Sequence, residues 1–124
     1  MHALVIEVQP LIAMMLEEEL RQLGFTSFDT AATQAEAIAA AKHRRPDLIT
    51  ASVRLTEGCG IEAVRIICAQ EPIPTVYTIS NPEEAEESIR GSIVIAKPVA
   101  RDELREAVRQ TTRRMDGEKS WRAA

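Results

Sequence analysis

Five short apolar runs of strand length, each followed by a segment of helical periodicity, fill this chain from end to end. That alternation demands a parallel sheet covered by helices on both faces. Ala3-Leu4-Val5-Ile6 is the first run, and its lack of any polar residue marks a strand buried on both sides. A turn at Gln9-Pro10 follows, and Leu11, Ile12, Met15, Leu16, Leu20 and Leu23 then recur at helical spacing, which predicts a buried stripe stopped by Gly24. Residues 26–30 make a second, more polar strand, as an edge position allows. Thr33, with Glu36 three residues on, predicts a capping box for an Ala-rich helix that runs to about Arg44 and is closed by Pro46. Residues 48–51 form the third strand with Ser52 at its tip, and Ile61, Val64, Ile67 and Cys68 mark the buried face of the helix after Gly58-Cys59-Gly60. Residues 73–79 are the fourth strand, and Asn81-Pro82-Glu83-Glu84 opens a brief helix that Gly91 ends. Residues 93–96 are the fifth strand, and Leu104, Ala107, Val108 and either Thr111 or Thr112 line one side of a last helix from about Ala100.

With 124 residues, 45% of them hydrophobic, the chain buries the core of one ordinary domain. We expect that domain over residues 1–114, with 115–124 as a C-terminal tail. A net charge of −4 argues against nonspecific binding to nucleic acid or to an anionic membrane, which need a concentrated basic face. The longest apolar stretch is far short of the roughly 18 residues that span a bilayer. The first residues lack a basic n-region and a cleavage site, so a cytoplasmic protein is expected. Cys59 and Cys68 are too few for a disulfide framework and lack metal-ligand spacing, which leaves them as small packing residues. His2 sits at the terminus and His43 at a helix end, neither near a strand tip. No metal and no cofactor is expected.

Four motifs fall at successive strand ends: Val5-Ile6-Glu7, Pro46-Asp47-Leu48-Ile49 to Ser52, Leu55-Thr56-Glu57-Gly58-Cys59-Gly60-Ile61-Glu62, and Ile95-Ala96-Lys97-Pro98. In these the chain resembles the receiver domain of two-component response regulators, over about residues 3–112. The resemblance implies a flavodoxin-like (βα)5 doubly wound parallel sheet of strand order 2-1-3-4-5. It also implies a site that takes a phosphoryl group from a histidine kinase onto an aspartate ending the third strand. In such a site two acids after the first strand and a carbonyl beyond the acceptor hold Mg²⁺. A hydroxyl residue ending the fourth strand and a lysine ending the fifth bind the phosphoryl oxygens, and an aromatic on the fifth strand swings inward. Carried onto this sequence, the first acid is Glu7, Val8 replaces the second, Ser52 replaces the acceptor, Ile79 takes the hydroxyl position, Val94 the aromatic position, and Lys97 is the lysine. A shift of one residue in the fourth strand puts Ser80 or Thr78 at the hydroxyl position instead.

The replacements change the chemistry. Mg²⁺ wants octahedral oxygen coordination with carboxylates to offset its charge, and Val8 and Ser52 leave Glu7 as the one acid of that set. Without the metal nothing neutralises a transferring phosphoryl group, and a serine hydroxyl with no neighbouring base is a poor nucleophile. Lys97 is expected to pair with Glu7 or Ser52, Arg54 to be either a solvated loop residue or a cation folded over Glu7, and Val8, Ile79 and Val94 to form an apolar pocket. We therefore expect a degenerate pseudo-receiver: no enzyme, but a phosphorylation-independent interaction module in two-component signalling, docking to a histidine kinase, phosphotransfer protein or regulator. The alternative is a phosphoacceptor single-domain regulator or phosphate sink that uses an unconventional residue. A small α/β enzyme using Ser52 or Cys59 is disfavoured, since Ala51-Ser52-Val53 is no nucleophile elbow.

A binding module needs a surface. Receivers commonly use the face made by the fourth helix, the fifth strand and the fifth helix. Here the fourth predicted helix carries Glu83, Glu84, Glu86 and Glu87, while the last helix and tail carry Arg105, Arg109 and Trp121. Residues 100–124 sum to about +2 and residues 1–99 to about −6, and opposite charges on one face favour self-association or a charged partner. The expected interaction surface is Glu83, Glu84, Glu87, Arg105, Arg109 and Trp121, with a homodimer through that face as one arrangement. Nucleic acid is disfavoured, because acids interrupt the basic tail and no recognition motif is present.

Overall fold

Strands β1 (His2–Ile6), β2 (Ser27–Ala31), β3 (Leu48–Ser52), β4 (Thr75–Ile79) and β5 (Ile93–Ala96) pair in parallel in the order β2-β1-β3-β4-β5. Helices α1 (Pro10–Gln22), α2 (Gln34–His43), α3 (Gly60–Ile67) and α4 (Arg101–Ala123) cover the sheet, which is the flavodoxin-like arrangement expected. This computed structural model describes the backbone of residues 1–85 and 89–123, and the side chains of residues 1–85 and 89–114. Among the described residues no helix is long and apolar enough to cross a membrane.

Strand alternation sorts the core into two layers. Leu4, Ile6, Ile49, Ala51, Tyr77 and Ile79 face Ala37 of α2 and Ile61, Ala63 and Val64 of α3. Ala3, Val5, Leu48, Val76 and Ile95 face Ala13, Leu16 and Leu20 of α1 and Leu104, Ala107 and Val108 of α4. The continuous apolar reading of β1 follows directly, since it is buried on both faces in mid-sheet. The more polar β2 is an edge, and β1 ties to it beyond the backbone ladder. His2 is buried, with Nδ1 2.9 Å from Ser27 Oγ and Nε2 2.9 Å from Asp29 Oδ2. The terminal histidine is thus a fastener at the lower end of the sheet, far from the strand tips.

Several local expectations hold. Thr33 Oγ1 accepts the Glu36 N–H at 3.1 Å and Glu36 Oε2 accepts the Ala32 N–H at 3.4 Å, which caps α2. Thr111 is buried and its Oγ1 accepts the Thr75 N–H at 3.1 Å, which pins α4 to the start of β4. Two expectations fail. Leu11 and Met15 are not in the buried stripe of α1: Leu11 is 79% exposed and Met14 63%, with Met15 also exposed. The helix packs through Ala13, Leu16, Glu19 and Leu20, a stripe that leaves Leu11 outside, and Glu19 Oε1 accepts from Arg101 Nε of α4 at 2.8 Å. After β4, the described residues form a 3₁₀ turn over Pro82–Glu84, not an α-helix. Glu84 is buried there, and its Oε2 accepts the N–H groups of Ser80 at 2.8 Å and Asn81 at 3.4 Å. A carboxylate folded back on its own turn satisfies the donors that a longer helix would leave open.

Gly60 sets the height of α3 against the tip of β3. A Cβ there would stand 2.0 Å from the Ser52 carbonyl oxygen, and the Gly60 N–H bonds Val53 O at 3.0 Å. Only glycine allows that approach. Gly60→Ala is expected to lower unfolding stability by about 1–3 kcal/mol in urea titration, the usual cost of overpacking; an unchanged midpoint would show that the helix shifts freely.

Candidate functional site

At the C-terminal edge of the sheet, Glu7 follows β1, Ser52 ends β3, Ser80 follows β4 and Lys97 follows β5. All four continue the strand alternation of the α1/α4 side and converge on one cleft of about 240 Å³, lined also by Val8, Gln9, Arg54, Leu55 and Thr56. Lys97 Nζ lies 2.7 Å from Glu7 Oε1 and donates to Ser52 Oγ at 3.2 Å. Glu7 Oε2 accepts the Gln9 N–H at 3.0 Å, and Ser52 Oγ lies 3.4 Å from the Arg54 carbonyl oxygen. The Glu7 side chain is 1% exposed and that of Lys97 14%, so this is a buried ion pair. The pairing expected from sequence is present, with both of its alternative acceptors used at once. Pro98, after a cis Lys97–Pro98 bond, follows directly.

The other assigned positions fall elsewhere. Ile79 and Val94 do not line the cleft. Both join the apolar layer beneath α2 and α3, and Val8 packs against that same layer. Of the three residues expected to make an apolar pocket at the site, Val8 alone lines the cleft, while Ile79 and Val94 pack in the layer beneath it. Ser80, one residue beyond Ile79, supplies the hydroxyl-bearing side chain on the fourth strand's side of the cleft. Thr78 is buried directly across from Ser52 in the β3–β4 register. Arg54 does not cover Glu7; its Nε lies 3.8 Å from Glu84 Oε1, which links the loop after β3 to the turn after β4.

The donor set does not fit Mg²⁺. The single carboxylate at the cleft is already engaged by an ammonium and a backbone N–H, Val8 offers no oxygen side chain, and the Ser52 hydroxyl is neutral. A hard divalent cation needs more anionic oxygen than this. Among the described residues no three His, Cys, Asp or Glu side chains cluster as metal ligands. Cys68 is a poor nucleophile, because burial pushes its thiol pKa up.

Of the surface expected on the fourth helix, β5 and the last helix, three described members are already engaged within the chain. Glu84 is a buried cap, Arg105 bonds Gln22 Oε1 of α1 at 2.6 Å, and Arg109 pairs with Glu106 on its own helix at 3.1 Å. Glu83 is exposed, whereas Glu87 and the Trp121 side chain lie outside the described residues. The exposed apolar stripe is on α1 instead: Leu11, Met14 and Met15, one turn from the cleft at Val8 and Gln9. The signal in the sequence was an apolar stripe too wide for one buried face, since Leu11 and Met15 were additional to a set that Leu16 and Leu20 already complete.

Residues 3–109 match the response regulator receiver domain. The chain belongs to that family. Curated relatives include the phyllosphere-induced regulator PhyR of Methylorubrum extorquens, 35% identical over 99 residues that cover 77% of this chain and 37% of that protein. Another is the probable transcriptional regulatory protein TcrX of Mycobacterium tuberculosis, 28% identical over 116 residues, covering 90% of this chain and 49% of the relative. The chain thus spans about half or less of the curated relatives it matches. Among solved structures, the PhyR receiver domain of Erythrobacter litoralis superposes with a TM-score of 0.81 at 31% identity, covering 90% of this chain and 88% of that one. PhyR of Brucella abortus gives 0.81 at 26% identity, covering 98% and 51%.

In this receiver domain the Lys97 ammonium is the cation for a carboxylate that water barely reaches. Breaking such a pair from one side strands a buried charge. Lys97→Met is expected to destabilise the fold by about 3–5 kcal/mol, and adding Glu7→Gln to recover much of that loss. Equal unfolding midpoints for the wild type and Lys97→Met would contradict the pairing.

Proposed function

We propose that this receiver domain works by contact, as a phosphorylation-independent module of two-component signalling that docks to a kinase, phosphotransfer protein or regulator. The observation that carries this reading is the internal satisfaction of the cleft: Lys97 is held by Glu7 at 2.7 Å and by Ser52 at 3.2 Å. An incoming phosphoryl group would have to displace Glu7 from its cation, with no metal to hold its other oxygens and no base to activate Ser52.

Ser80 offers a hydroxyl at the cleft, but β5 carries no aromatic side chain to follow its movement, which supports the same reading. A phosphoryl-driven switch needs a group at the site that moves and a second group that follows it. Ile79 and Val94 are aliphatic side chains fixed in the core layer on the far side of the sheet from Ser52. The exposed stripe of Leu11, Met14 and Met15 supports a docking role, since clustered exposed apolar side chains on a small domain mark interaction sites. The likeness to PhyR, described in Bartonella quintana as an anti-anti-sigma factor, favours a regulator of transcription as the class of partner.

Incubation with acetyl phosphate and Mg²⁺, read by intact mass, is expected to leave the chain unmodified. A gain of one phosphate that Ser52→Ala abolishes would falsify the proposal in favour of an unconventional phosphoacceptor.

A further inference from the structure

Two unpartnered apolar surfaces lie on opposite sides of the sheet, and they match each other. The first is the α1 ridge, where Leu11 (79% exposed), Met14 and Met15 project beside Glu17 and Glu18. The second is a groove of about 300 Å³ between the C-terminal halves of α2 and α3. Its floor is Ile38, Ala41, Ile66 and Ile67, with Ile66 40% exposed, and Lys42 and Arg45 stand at its rim. Ridge and groove are both apolar at the centre, and their margins carry Glu17 and Glu18 on one side and Lys42 and Arg45 on the other.

From this we infer that the occupant of the groove is the α1 ridge of a second copy of this chain. The inference rests on the contact-module reading and names a partner for the same surface. Leu11 and Met14 enter the cavity between α2 and α3, while Glu17 and Glu18 approach Lys42 and Arg45. Arg45 also donates to the Glu71 carbonyl oxygen at 2.5 Å, and the ion pairs these groups make within one chain are long, Arg21 with Glu17 at 3.9 Å and Glu18 at 3.7 Å, and Arg45 with Glu71 at 3.8 Å. Such pairs contribute little and are readily exchanged. Charge at the margin then steers and registers the contact, and apolar burial holds it.

Position in the fold sets the symmetry. α1 packs on one core layer and α2 and α3 on the other, so a copy that offers its ridge keeps its own groove open. The contact is heterologous: each copy gives one surface and receives on a different one, and copies add in line instead of closing as a two-fold dimer.

The test is complementation, read by sedimentation velocity over a concentration series up to about 1 mM. Wild type is expected to show mass that rises with concentration beyond that of a dimer. Leu11→Glu loses the ridge and Ile66→Glu the groove, so each alone stays monomeric. Mixed one to one, the intact groove of the first takes the intact ridge of the second, and the mixture stops at a heterodimer. Lys42→Glu mixed with Glu18→Lys provides a second readout that leaves the apolar residues in place: each alone associates more weakly than wild type, and the mixture regains association. A wild type monomeric throughout, a dimer that survives Ile66→Glu, or a mixture of the two apolar variants that stays monomeric overturns the inference. These outcomes leave the phosphorylation test untouched: self-association can fail while the chain still refuses phosphate. A ridge that serves a different protein gives a monomer in every sedimentation run.

Discussion

A carboxylate buried at the edge of a parallel sheet must find a cation, and Glu7 finds Lys97. The pair joins β1 to β5 across the tip of β3, and Ser52 closes the triangle as a neutral acceptor for the same ammonium. With an anionic side chain at position 52, the cleft would carry excess negative charge and call for an added cation. With serine, one carboxylate balances one ammonium and the cleft is neutral by itself. That balance makes the Glu7–Lys97 pair a joint between strand ends. A buried ion pair need not add net stability, but it fixes the relative heights of three strand ends.

The joint also explains what happens around it. Arg54, with no vacancy at Glu7 to fill, reaches outward to Glu84, and Glu84 is positioned for it by the N–H groups of Ser80 and Asn81. On the opposite flank, Glu19 of α1 holds Arg101 of α4 at 2.8 Å, and Arg105 reaches Gln22. The helix that presents Leu11 and Met14 is therefore clamped to α4. A rigid ridge suits docking, because less conformational freedom is lost when it is covered.

The buried strands were legible because two-sided burial writes a continuous apolar run, as at Ala3 to Ile6 and Leu48 to Ala51, whereas their order came from the resemblance to receiver domains. The Lys97–Glu7–Ser52 contact was legible as well, since motifs at successive strand ends must converge in a doubly wound sheet. Three features were not. The strand-four register turned on one residue, and strand parity, visible only in the folded sheet, sends Ile79 to the core and Ser80 to the cleft. Glu84 read as surface charge because a capping carboxylate and a solvated one are identical in sequence. The exposure of Leu11 was hidden because the buried face of α1 is chosen by its packing partners, and Ala13, Leu16 and Leu20 fill it without Leu11.

The central claim is that the cleft is self-satisfied and does not respond to a phosphoryl group. Amide ¹H–¹⁵N spectra recorded with and without acetyl phosphate and Mg²⁺ test it most directly, because that donor presents a phosphoryl group to the cleft whether or not Ser52 accepts it. The account predicts superimposable signals for Glu7, Ser52, Ser80 and Lys97 at all concentrations. Saturable shifts at those four residues that spread to β5 would contradict it, and would show that Lys97 leaves Glu7 for an incoming anion.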